Sequence, residues 1–524
     1  MKVVSSQQMR ELEAKCETLG ISTNQLMDNA GLSIAEKISK IMGVLKGLKI
    51  LALVGSGNNG ADCLIASGHL ARWGASVTAI ILKQRDQPDL RLDEAVRMGV
   101  SYVDLSSERE ISFSSVEILF REAHLMLDGI LGIGATLPIR EPLKTFLSEF
   151  KSKEISKPKI FSIDVPSGAD SDTSELDVSA IKPDVTLALG FLKPCHVNQP
   201  ASDFCGEISV CDIGVPSNLG FQSYANLMSD EHISSILPVR DKFSHKGRFG
   251  KVMVVGGSDN YIGAPALAAS SALKTGAGLA TIASYDNLIP TMGTLIPEAT
   301  FVRLKPDKTQ LKPGSNLARQ IFEIVGNYNV LLIGCGFGVS KISREIFESL
   351  ILSDLELPQL VLDADALNLL SKVSNWWDRL PDNSIVTPHP AEMSRLTRLS
   401  VSEIQSDRLA VSKKFAERWG VIVVLKGANT VVSTPNGNSI ISPVANSILS
   451  SAGTGDVLAG IIAGFAAQLS DPLAAASLGV HVHGKSAAEL SIKMGSSGML
   501  ASELAAEVPF IIKKLRDRER FGST

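Results

Sequence analysis

The segment from Ser451 to Gly460 carries the residues whose types and spacing most clearly suggest chemistry. It reads S-A-G-T-G-D-V-L-A-G, so two glycines and a threonine open a helix and Asp456 falls in its first turn. A helix start has unpaired backbone N–H groups and partial positive charge, and a backbone bared by glycine there can hold a phosphate. An aspartate beside a phosphoryl group would be repelled unless it takes a proton from an attacking hydroxyl. The segment therefore suggests phosphoryl transfer; the alternative is the capped start of a buried helix, since residues 461–467 are apolar.

A second glycine-rich segment, residues 55–60, satisfies the G-x-G-x-x-G dinucleotide fingerprint. Two features argue against an ordinary dehydrogenase. The second strand ends at Lys83 instead of at an acidic residue for a ribose, and Asp62, placed in the first helical turn, would oppose a pyrophosphate. Asn58 and Asn59 supply carbonyl oxygens that suit a hard cation or a polar ligand. The alternative is an Asn-rich turn that caps a helix.

Two further aspartates follow apolar runs that resemble strands. Asp128 opens D-G-I-L-G-I-G-A-T, and Asp164 lies within S-I-D-V-P-S-G. In an open parallel sheet, the carboxyl ends of the strands line the ligand crevice. One such aspartate is often a turn residue. Together with the segment 55–60, however, the two aspartates give three glycine-flanked sites on one sheet edge, which favours a binding crevice.

The elements that must position these residues alternate between strands and helices. Apolar strands are predicted at residues 49–54 and 77–82 around a helix over 61–73, and the alternation restarts with a strand over 251–255 and a helix over 264–274. The pattern loosens between residues 216 and 243. We therefore predict two α/β domains, residues 1–225 and 226–524, the first a Rossmann-like, doubly wound and mostly parallel sheet.

Composition narrows the classes of function. With 524 residues the chain exceeds what one core usually supports, and its formal net charge of −4 gives no basic field for nucleic acid. The six cysteines show no C-x-x-C pair, and the N-terminus lacks the apolar stretch of a secretory signal. We expect a cytoplasmic protein with small-molecule partners, no nucleic-acid or membrane partner, and a homo-oligomeric state of undetermined size.

The first 215 residues resemble the NAD(P)H-hydrate epimerase family. The motifs N-N-G-x-D, D-x-x-L-G-x-G and D-V-P-S-G occur in order and are followed by G-F-L-K-P at residues 190–194. The resemblance implies a bound potassium ion, with Asn59, Asp128 and Ser167 as ligands, and Asp164 as the general acid/base, with Lys193 as its candidate partner. The implied substrate-binding residues are Asn58, Asn59, Gly60, Ala61, Asp62, Gly132, Ile133, Gly134, Ala135, Thr136, Leu137, Pro138 and Asp164.

This chain departs from the epimerase pattern at three positions. The family more often has N-N-G-G-D-G and L-G-T-G, where this chain has Ala61, Cys63 and Ile133. None of these changes removes a side chain that would carry a ligand, so they affect the shape of the loops alone.

Residues 235–515 resemble the ribokinase-like fold and, within it, the ADP- or ATP-dependent NAD(P)H-hydrate dehydratases. The resemblance lies in T-P-H-P-x-E-M, K-G-x-x-T and A-G-T-G-D-V-L-A-G. It implies that Asp456 is the catalytic base and that the hydrate is bound by Ala264, Gly336, His389 and Asp456. The implied nucleotide-binding residues are Lys426, Gly427, Ala428, Asn429, Thr430, Gly453, Thr454 and Gly455.

Together the two resemblances imply a bifunctional repair enzyme. The first domain would equilibrate the R and S hydrates of NADH and NADPH, and the second would dehydrate the S hydrate by phosphorylating its hydroxyl and eliminating phosphate. Resemblance to prokaryotic fused forms favours ADP over ATP as the donor, with Mg²⁺. Two alternatives stay open: a vitamin kinase that leaves a stable phosphorylated product, and a first domain that binds dinucleotide without catalysis and regulates its neighbour.

Overall fold

In a computed structural model, the chain divides into two compact units, Met1–Ala225 and Asn226–Thr524. The structure describes all residues except 86, 109–111, 154–157, 217–218, 222, 242, 307–310, 352–355 and 522–524, and the side chains of 519–521.

The first unit contains an open, wholly parallel sheet. Within its described residues, seven strands pair in the order β4-β3-β2-β5-β6-β7-β8. The central register pairs Leu53 of β2 with Asp128 of β5, and Asp128 with Ser162 of β6. A two-residue strand, β1 (Lys2–Val3), is not part of this sheet. The seven sheet strands are β2 (Lys49–Val54), β3 (Ser76–Ile81), β4 (Ser101–Asp104), β5 (Leu125–Gly129), β6 (Lys159–Ile163), β7 (Val185–Leu189) and β8 (Glu207–Cys211).

Helices cover both faces of this sheet, as the apolar strands require. In β2, Ile50 and Ala52 belong to one buried cluster, while Leu51 and Leu53 belong to another on the opposite face. Such alternation places apolar side chains on both faces, so each face needs a covering layer. The helices are α1 (Ser6–Thr18), α2 (Thr23–Met42), α3 (Asn58–Arg72), α4 (Leu90–Arg97), α5 (Glu117–Glu122) and α6 (Leu143–Ser152).

The second unit contains a larger, mixed sheet. Its strands pair in the order β9-β18-β17-β16-β15-β14-β13-β10-β11-β12, and they are parallel except where β17 pairs with β16 and β18. The strands are β9 (Ala225–Leu227, at the boundary), β10 (Lys251–Val255), β11 (Leu279–Tyr285), β12 (Thr300–Leu304), β13 (Val330–Ile333), β14 (Gln359–Leu362), β15 (Ile385–Val386), β16 (Ile422–Leu425), β17 (Val431–Ser433) and β18 (Ser439–Ile441).

One buried helix, α16, lies at the centre of the second unit. It packs against α8 and α17, and nearly all of its residues from Val457 onward are buried. The helices are α7 (Asp230–Ser235), α8 (Gly263–Lys274), α9 (Ile289–Leu295), α10 (Pro313–Val325), α11 (Lys341–Ile351), α12 (Asp365–Leu370), α13 (Pro390–Thr397), α14 (Val401–Ser406), α15 (Arg408–Trp419), α16 (Thr454–Ala466), α17 (Pro472–Met494) and α18 (Ala501–Phe521).

The close approach of α16 to α8 depends on glycine. A β-carbon at Gly460 would overlap the Ala268 carbonyl oxygen, and one at Gly464 would overlap the Thr275 hydroxyl. Small residues at these positions therefore let the two backbones meet.

The prediction of where α3 begins was wrong. The helix begins at Asn58, three residues before the predicted start, so Asp62 is its fifth residue and lies beyond the first turn. Gly57, in extended conformation, is the N-cap of this helix. Residues 58–60, which were predicted to be loop, therefore form the beginning of the helix. By contrast, Asp456 is the third residue of α16 and lies in its first turn, as predicted.

Two general features complete the description. All six cysteines are buried and none forms a disulfide. Within the ranges that the structure describes, no helix combines the length and apolarity needed to cross a bilayer.

Candidate active sites

The first unit has a cavity of about 510 Å³ at the carboxyl ends of its strands. It lies where strand order reverses around β2 and β5, the usual ligand position in an open α/β sheet. Gly60, Ala61, Leu137 and Pro138 are not among its lining residues. The predicted residues that line it are Asn58, Asn59, Asp62, Gly132, Ile133, Gly134, Ala135, Thr136 and Asp164.

A hydrogen-bonded chain connects the three predicted potassium ligands. The Asn59 amide donates to the Leu131 carbonyl oxygen at 2.7 Å, and the Leu131 N–H donates to Ser167 Oγ at 3.0 Å. Ser167 Oγ in turn donates to Asp128 Oδ1 at 2.5 Å. Asn59, Asp128 and Ser167 are thus brought together through one backbone unit.

Asp128 is a fully buried carboxyl surrounded by neutral donors. Its Oδ2 accepts from Ser162 Oγ at 2.8 Å and from the Ser167 N–H at 2.9 Å. Burial raises the pKa of this carboxyl, and the hydrogen bonds from Ser167 and Ser162 act in the opposite direction. Among the described residues, no lysine or arginine forms an ion pair with Asp128, so its charge lacks a cationic partner from the chain.

Asp164 is held in an unusual backbone conformation beside a buried lysine. Its φ is +63°, a left-handed value that is uncommon for residues other than glycine. Its Oδ1 accepts from the Leu189 N–H at 2.9 Å and forms an ion pair with Lys193, whose side chain is 0% exposed. Lys193 Nζ also donates to the carbonyl oxygens of Leu189 and Phe191, at 2.8 and 3.0 Å.

A buried histidine supports this pair. His196 Nε2 lies 2.8 Å from the Asp164 carbonyl oxygen, and its Nδ1 accepts from the Lys193 N–H at 3.0 Å. Burial and the nearby Lys193 charge lower the pKa of His196 to about 4, so the ring is neutral at pH 7. It therefore positions Asp164 and Lys193 through the backbone of both residues.

In the second unit, the start of α16 is bare of side-chain caps. Gly453 is the N-cap with φ +85°, and no side chain accepts from the first N–H groups of the helix. The Thr454 hydroxyl turns back to the carbonyl oxygens of Leu449 and Ser451, both at 2.9 Å. These N–H groups can therefore receive an anion, as helix starts do in phosphate sites.

Asp456 lies in an acidic cluster below this helix start. Ligand atoms of Asp456, Asp363 and Cys335 all lie within 4.8 Å of one another. Burial, with the negative charge of Asp363, raises the pKa of Asp456 to about 6. Burial likewise raises the pKa of the Cys335 thiol, which stays protonated beside Asp456. A carboxylate with a pKa near 6 is ionised at pH 7 and still basic enough to accept a proton.

Lys426 connects the cluster to the helix start. Its Nζ lies 2.5 Å from Asp363 Oδ1 and 3.8 Å from Glu392 Oε2. A β-carbon on Gly455 would lie 3.6 Å from the same ammonium group. The predicted nucleotide-binding lysine thus faces the backbone that would hold a phosphoryl group.

Two further side chains, Thr387 and His389, lie near Lys426 and its partners. Thr387 Oγ1 donates to Asp363 Oδ1 at 2.8 Å, which fixes that carboxylate. His389 is the N-cap of α13, and its Nδ1 accepts from the backbone N–H groups of Ala391 and Glu392 at 3.1 and 3.3 Å. Burial and the Lys426 charge lower the pKa of His389 to about 4, so the ring is neutral at pH 7. Because Nδ1 accepts hydrogen bonds, the one ring proton is on Nε2.

The remaining predicted residues lie at the start of α8 and in two loops. Gly336, with φ +62°, lies so close to Ala264 that a β-carbon would come within 2.9 Å of the alanine methyl. Beyond Lys426, Thr430 Oγ1 donates to the Gly427 carbonyl oxygen at 2.9 Å, and Asn429 adopts a positive φ of 51°. The loop that also contains Ala428 is therefore a tight turn.

Comparison with known proteins now identifies the family. Residues 252–509 match the model described as NAD(P)H-hydrate dehydratase, and residues 23–195 match the model described as YjeF-related protein N-terminus. A bifunctional NAD(P)H-hydrate repair enzyme of Moorella thermoacetica is 32% identical over 533 residues, covering 99% of this chain and 98% of that protein. The chain belongs to the bifunctional NAD(P)H-hydrate repair enzyme family.

Other members of the repair enzyme family are similarly related. The protein of Dictyoglomus turgidum is 32% identical over 98% of this chain and 99% of its own length, and that of Escherichia coli is 31% identical over 88% and 84%. Among solved structures, the ADP/ATP-dependent NAD(P)H-hydrate dehydratase of Bacillus subtilis, co-crystallised with ATP/Mg²⁺, is 30% identical, covers 56% of this chain and 99% of its own, and has a TM-score of 0.47. The predicted fold class, a Rossmann-like unit followed by a ribokinase-like unit, is confirmed.

Sequence reasoning missed several residues that this repair enzyme brings to its two sites. Glu13 and Arg10 of α1 line the first cavity, and burial and the charge of Asp164 raise the pKa of Glu13. No sequence motif includes Glu13, because it is one of the polar residues of an amphipathic helix and has no distinctive neighbours. Asp363 and Glu392 had a signal, since one ends a buried strand run and the other lies within T-P-H-P-x-E-M.

Proposed function

We propose that this chain restores hydrated NADH and NADPH, with both reactions carried out by one polypeptide. The first unit would interconvert the R and S hydrates, and the second would return the S hydrate to the dihydronicotinamide at the expense of a nucleotide. The observation that carries the proposal is the position of Asp456. It is a carboxylate with a raised pKa in the first turn of a helix whose N–H groups are unoccupied by side chains.

In the epimerase reaction, Asp164 is the general base. Its Oδ1 is held by Lys193 and by the Leu189 N–H, which fixes the carboxyl group at the wall of the cavity. A carboxyl group oriented in this way is what general base catalysis requires. Lys193 acts through Asp164, since its ammonium hydrogens are directed to that carboxylate and to two carbonyl oxygens.

A potassium ion fits the residues beside this cavity. Asp128 is buried without a cationic partner from the described chain, Ser167 Oγ donates to it, and Leu131 connects Ser167 to Asn59 by hydrogen bonds. Oxygen atoms from carboxylate, hydroxyl and carbonyl groups are the ligands that hard cations take. Asn59, Asp128 and Ser167 would hold the ion, which would supply the positive charge that the buried carboxylate lacks.

Potassium dependence has a direct test. Replacing potassium chloride by choline chloride at constant ionic strength should slow epimerisation and lower the apparent Tm of the first unit, because Asp128 then stays uncompensated. Dehydration of the S hydrate in the same sample is the internal control. Equal epimerisation rates in the two salts would contradict the assignment of the ion.

In the dehydratase reaction, Asp456 activates the hydroxyl of the hydrate. Hydroxide is a poor leaving group, so the hydroxyl must first become a phosphate ester. Asp456 removes the hydroxyl proton as the oxygen attacks the terminal phosphorus, and the N–H groups of Gly453, Thr454 and Gly455 stabilise the transferred phosphoryl group. Lys426 adds a positive charge on the same side. The carbon–oxygen bond to the phosphate then breaks, the neighbouring ring carbon loses a proton to solvent, and inorganic phosphate leaves as the ring double bond forms.

The nucleotide is ADP in this proposal, and ATP is the alternative donor. The turn from Lys426 to Thr430 would receive the nucleotide, while Ala264, Gly336 and His389 would receive the hydrate. The cluster of Cys335, Asp363 and Asp456 does not suit Mg²⁺, since it offers a protonated thiol and a carboxylate already bound to Lys426. Any Mg²⁺ would therefore accompany the nucleotide phosphates.

A spectrophotometric experiment tests the proposed function. Mixed R and S hydrates are incubated with ADP or ATP, and both the returning dihydronicotinamide absorbance and released phosphate are measured. We expect equal amounts of the two products, and rates at least about a thousandfold lower for Asp456→Asn. A stable phosphorylated product without returning absorbance would identify a kinase instead.

A further inference from the structure

We propose that Asp62 is the second proton-transfer residue of the epimerase, acting from the wall of the same cavity as Asp164. The inference rests on the proposed epimerase function and adds a chemical role to a residue predicted only to contact substrate. It assigns the two carboxyl groups of one site to opposite roles, Asp62 as proton donor and Asp164 as proton acceptor.

The geometry of Asp62 is unusual for a carboxyl group. The residue is 5% exposed on α3, it lines the cavity, and its buried Oδ1 has no hydrogen-bond partner in the described structure. A buried polar atom without a partner loses the hydrogen bonds that it made to water in the unfolded chain, so it calls for an explanation. Asp164 lines the same cavity, yet its Oδ1 has two donors. The two carboxyls therefore differ sharply in their surroundings.

The charges around Asp62 favour its neutral form. Burial raises its pKa well above the ordinary value, and the carboxylates of Asp164 and Glu13 raise it further. Arg91 and Lys193 act in the opposite direction without cancelling these effects. The basic side chains that line the cavity are Arg10, Lys83 and Arg140. A carboxyl group whose surroundings favour its protonated form is suited to act as a general acid.

The chemistry of the hydrate needs such a pair. Water adds to the reduced nicotinamide at the carbon beside the ring nitrogen, so that carbon carries both the hydroxyl and the nitrogen. In the first step, Asp62 gives its proton to the hydroxyl oxygen, the carbon–oxygen bond breaks, and the nitrogen lone pair forms a carbon–nitrogen double bond as water leaves. A water molecule then attacks the other face of that carbon, the electron pair returns to nitrogen, and the added water gives its proton to Asp164. Proton exchange with solvent resets both carboxyls, and no oxidant or reductant is consumed.

Glu13 is the other candidate for this role, and the observations favour Asp62. Glu13 is only partly buried, whereas Asp62 is enclosed and has the unpartnered oxygen. Glu13 instead contributes negative charge that helps to keep Asp62 protonated. Glu13 thus acts on epimerisation through Asp62, since its charge raises the pKa of that carboxyl group.

The test uses the full chain and R-enriched NADH hydrate without nucleotide, with conversion to the S hydrate followed by proton NMR. Asp62→Asn keeps the size of the side chain but removes the acidic proton. We expect kcat for epimerisation to fall at least about a hundredfold with little change in KM. ADP-dependent dehydration of pure S hydrate by the same sample should stay normal. Asp93→Asn, at an exposed position on α4, is the charge-matched control and should epimerise normally.

A pH profile separates a proton donor from a merely structural residue. The rate should decline as pH rises through the pKa of Asp62, because the ionised acid has no proton to give. Glu13→Gln removes a neighbouring negative charge, so this decline should move to lower pH by about half a unit. A structural role for Asp62 predicts no such movement.

The possible outcomes distinguish a failure of this inference from a failure of the proposed function on which it rests. Near-normal epimerisation by Asp62→Asn, with loss of activity in Asp164→Asn, would overturn the role of Asp62 alone. An unmoved profile in Glu13→Gln would also overturn it. Absence of epimerisation in the unmodified chain would overturn the proposed function and this inference with it.

Discussion

Asp363 lies between the two groups that the dehydratase reaction uses. It pairs with Lys426 at 2.5 Å, and its charge contributes to raising the pKa of Asp456. One buried carboxylate therefore both holds the cation that faces the phosphoryl site and tunes the catalytic base. Its place after β14 was evident from the sequence, but its partners were not, because Lys426 is 63 residues away along the chain.

The acidic limb of the dehydratase pH profile should reveal this role. With Asp456 titrating at about 6, kcat/KM should fall as pH drops through that value, since the protonated acid cannot accept a proton. Asp363→Asn removes a neighbouring negative charge, so the limb should move to lower pH by about half a unit. Asp382→Asn, at an exposed position, is the control. An unmoved limb in Asp363→Asn would contradict the account.

Residue-level prediction succeeded where a motif fixed both residue type and backbone. The side-chain-free helix start before Asp456 follows from glycine and threonine at residues 453–455, and the structure has it. Glu13 could not be found in this way, because its role depends on α1 reaching a cavity formed by strands far along the chain. Contacts of that kind arise from tertiary packing and leave no local pattern.

At the scale of elements, strand positions were predicted well, and strand pairing less so. The strands over 49–54 and 251–255 have the predicted bounds, because buried parallel strands are continuous apolar runs. The antiparallel pair β17 and β18 was not predicted, although Asn436-Gly437 between them is a known hairpin signal. Its short strands lack a long apolar run, which is why the pattern escaped notice.

Helix α16 should tolerate no added methyl group where it meets α8. Gly460→Ala would force the two backbones apart, and we expect a loss of about 1–3 kcal/mol in the stability of the second unit. Gly326→Ala is the matched control, since φ is −60° there and no atom lies within 4 Å of the added carbon. Thermal unfolding followed by calorimetry measures both. An unchanged apparent Tm for Gly460→Ala would show that the helices can separate without cost.

At the scale of the whole molecule, two reactions on one chain should be separable by single substitutions. Asp164→Asn should restore the S hydrate quickly and leave the R hydrate to slow spontaneous conversion. Asp456→Asn should interconvert the hydrates and restore neither.

An equal mixture of these two variants checks the division of labour. We expect the mixture to restore all of the hydrate, since the intermediate S hydrate can diffuse from one molecule to the other. Absorbance of the dihydronicotinamide, followed to completion with excess ADP, is the measurement. A mixture that stops at the S fraction would contradict independent action of the two sites.

The buried thiol beside Asp456 gives the second unit a built-in reporter. Cys335 is the one cysteine between residues 226 and 524, whereas the other five belong to the first unit. Because this thiol is buried, a reagent can alkylate it only when the phosphoryl-transfer pocket opens locally. Ligands that close the pocket will lengthen the labelling half-time, so occupancy can be followed by mass spectrometry without any substitution in the chain.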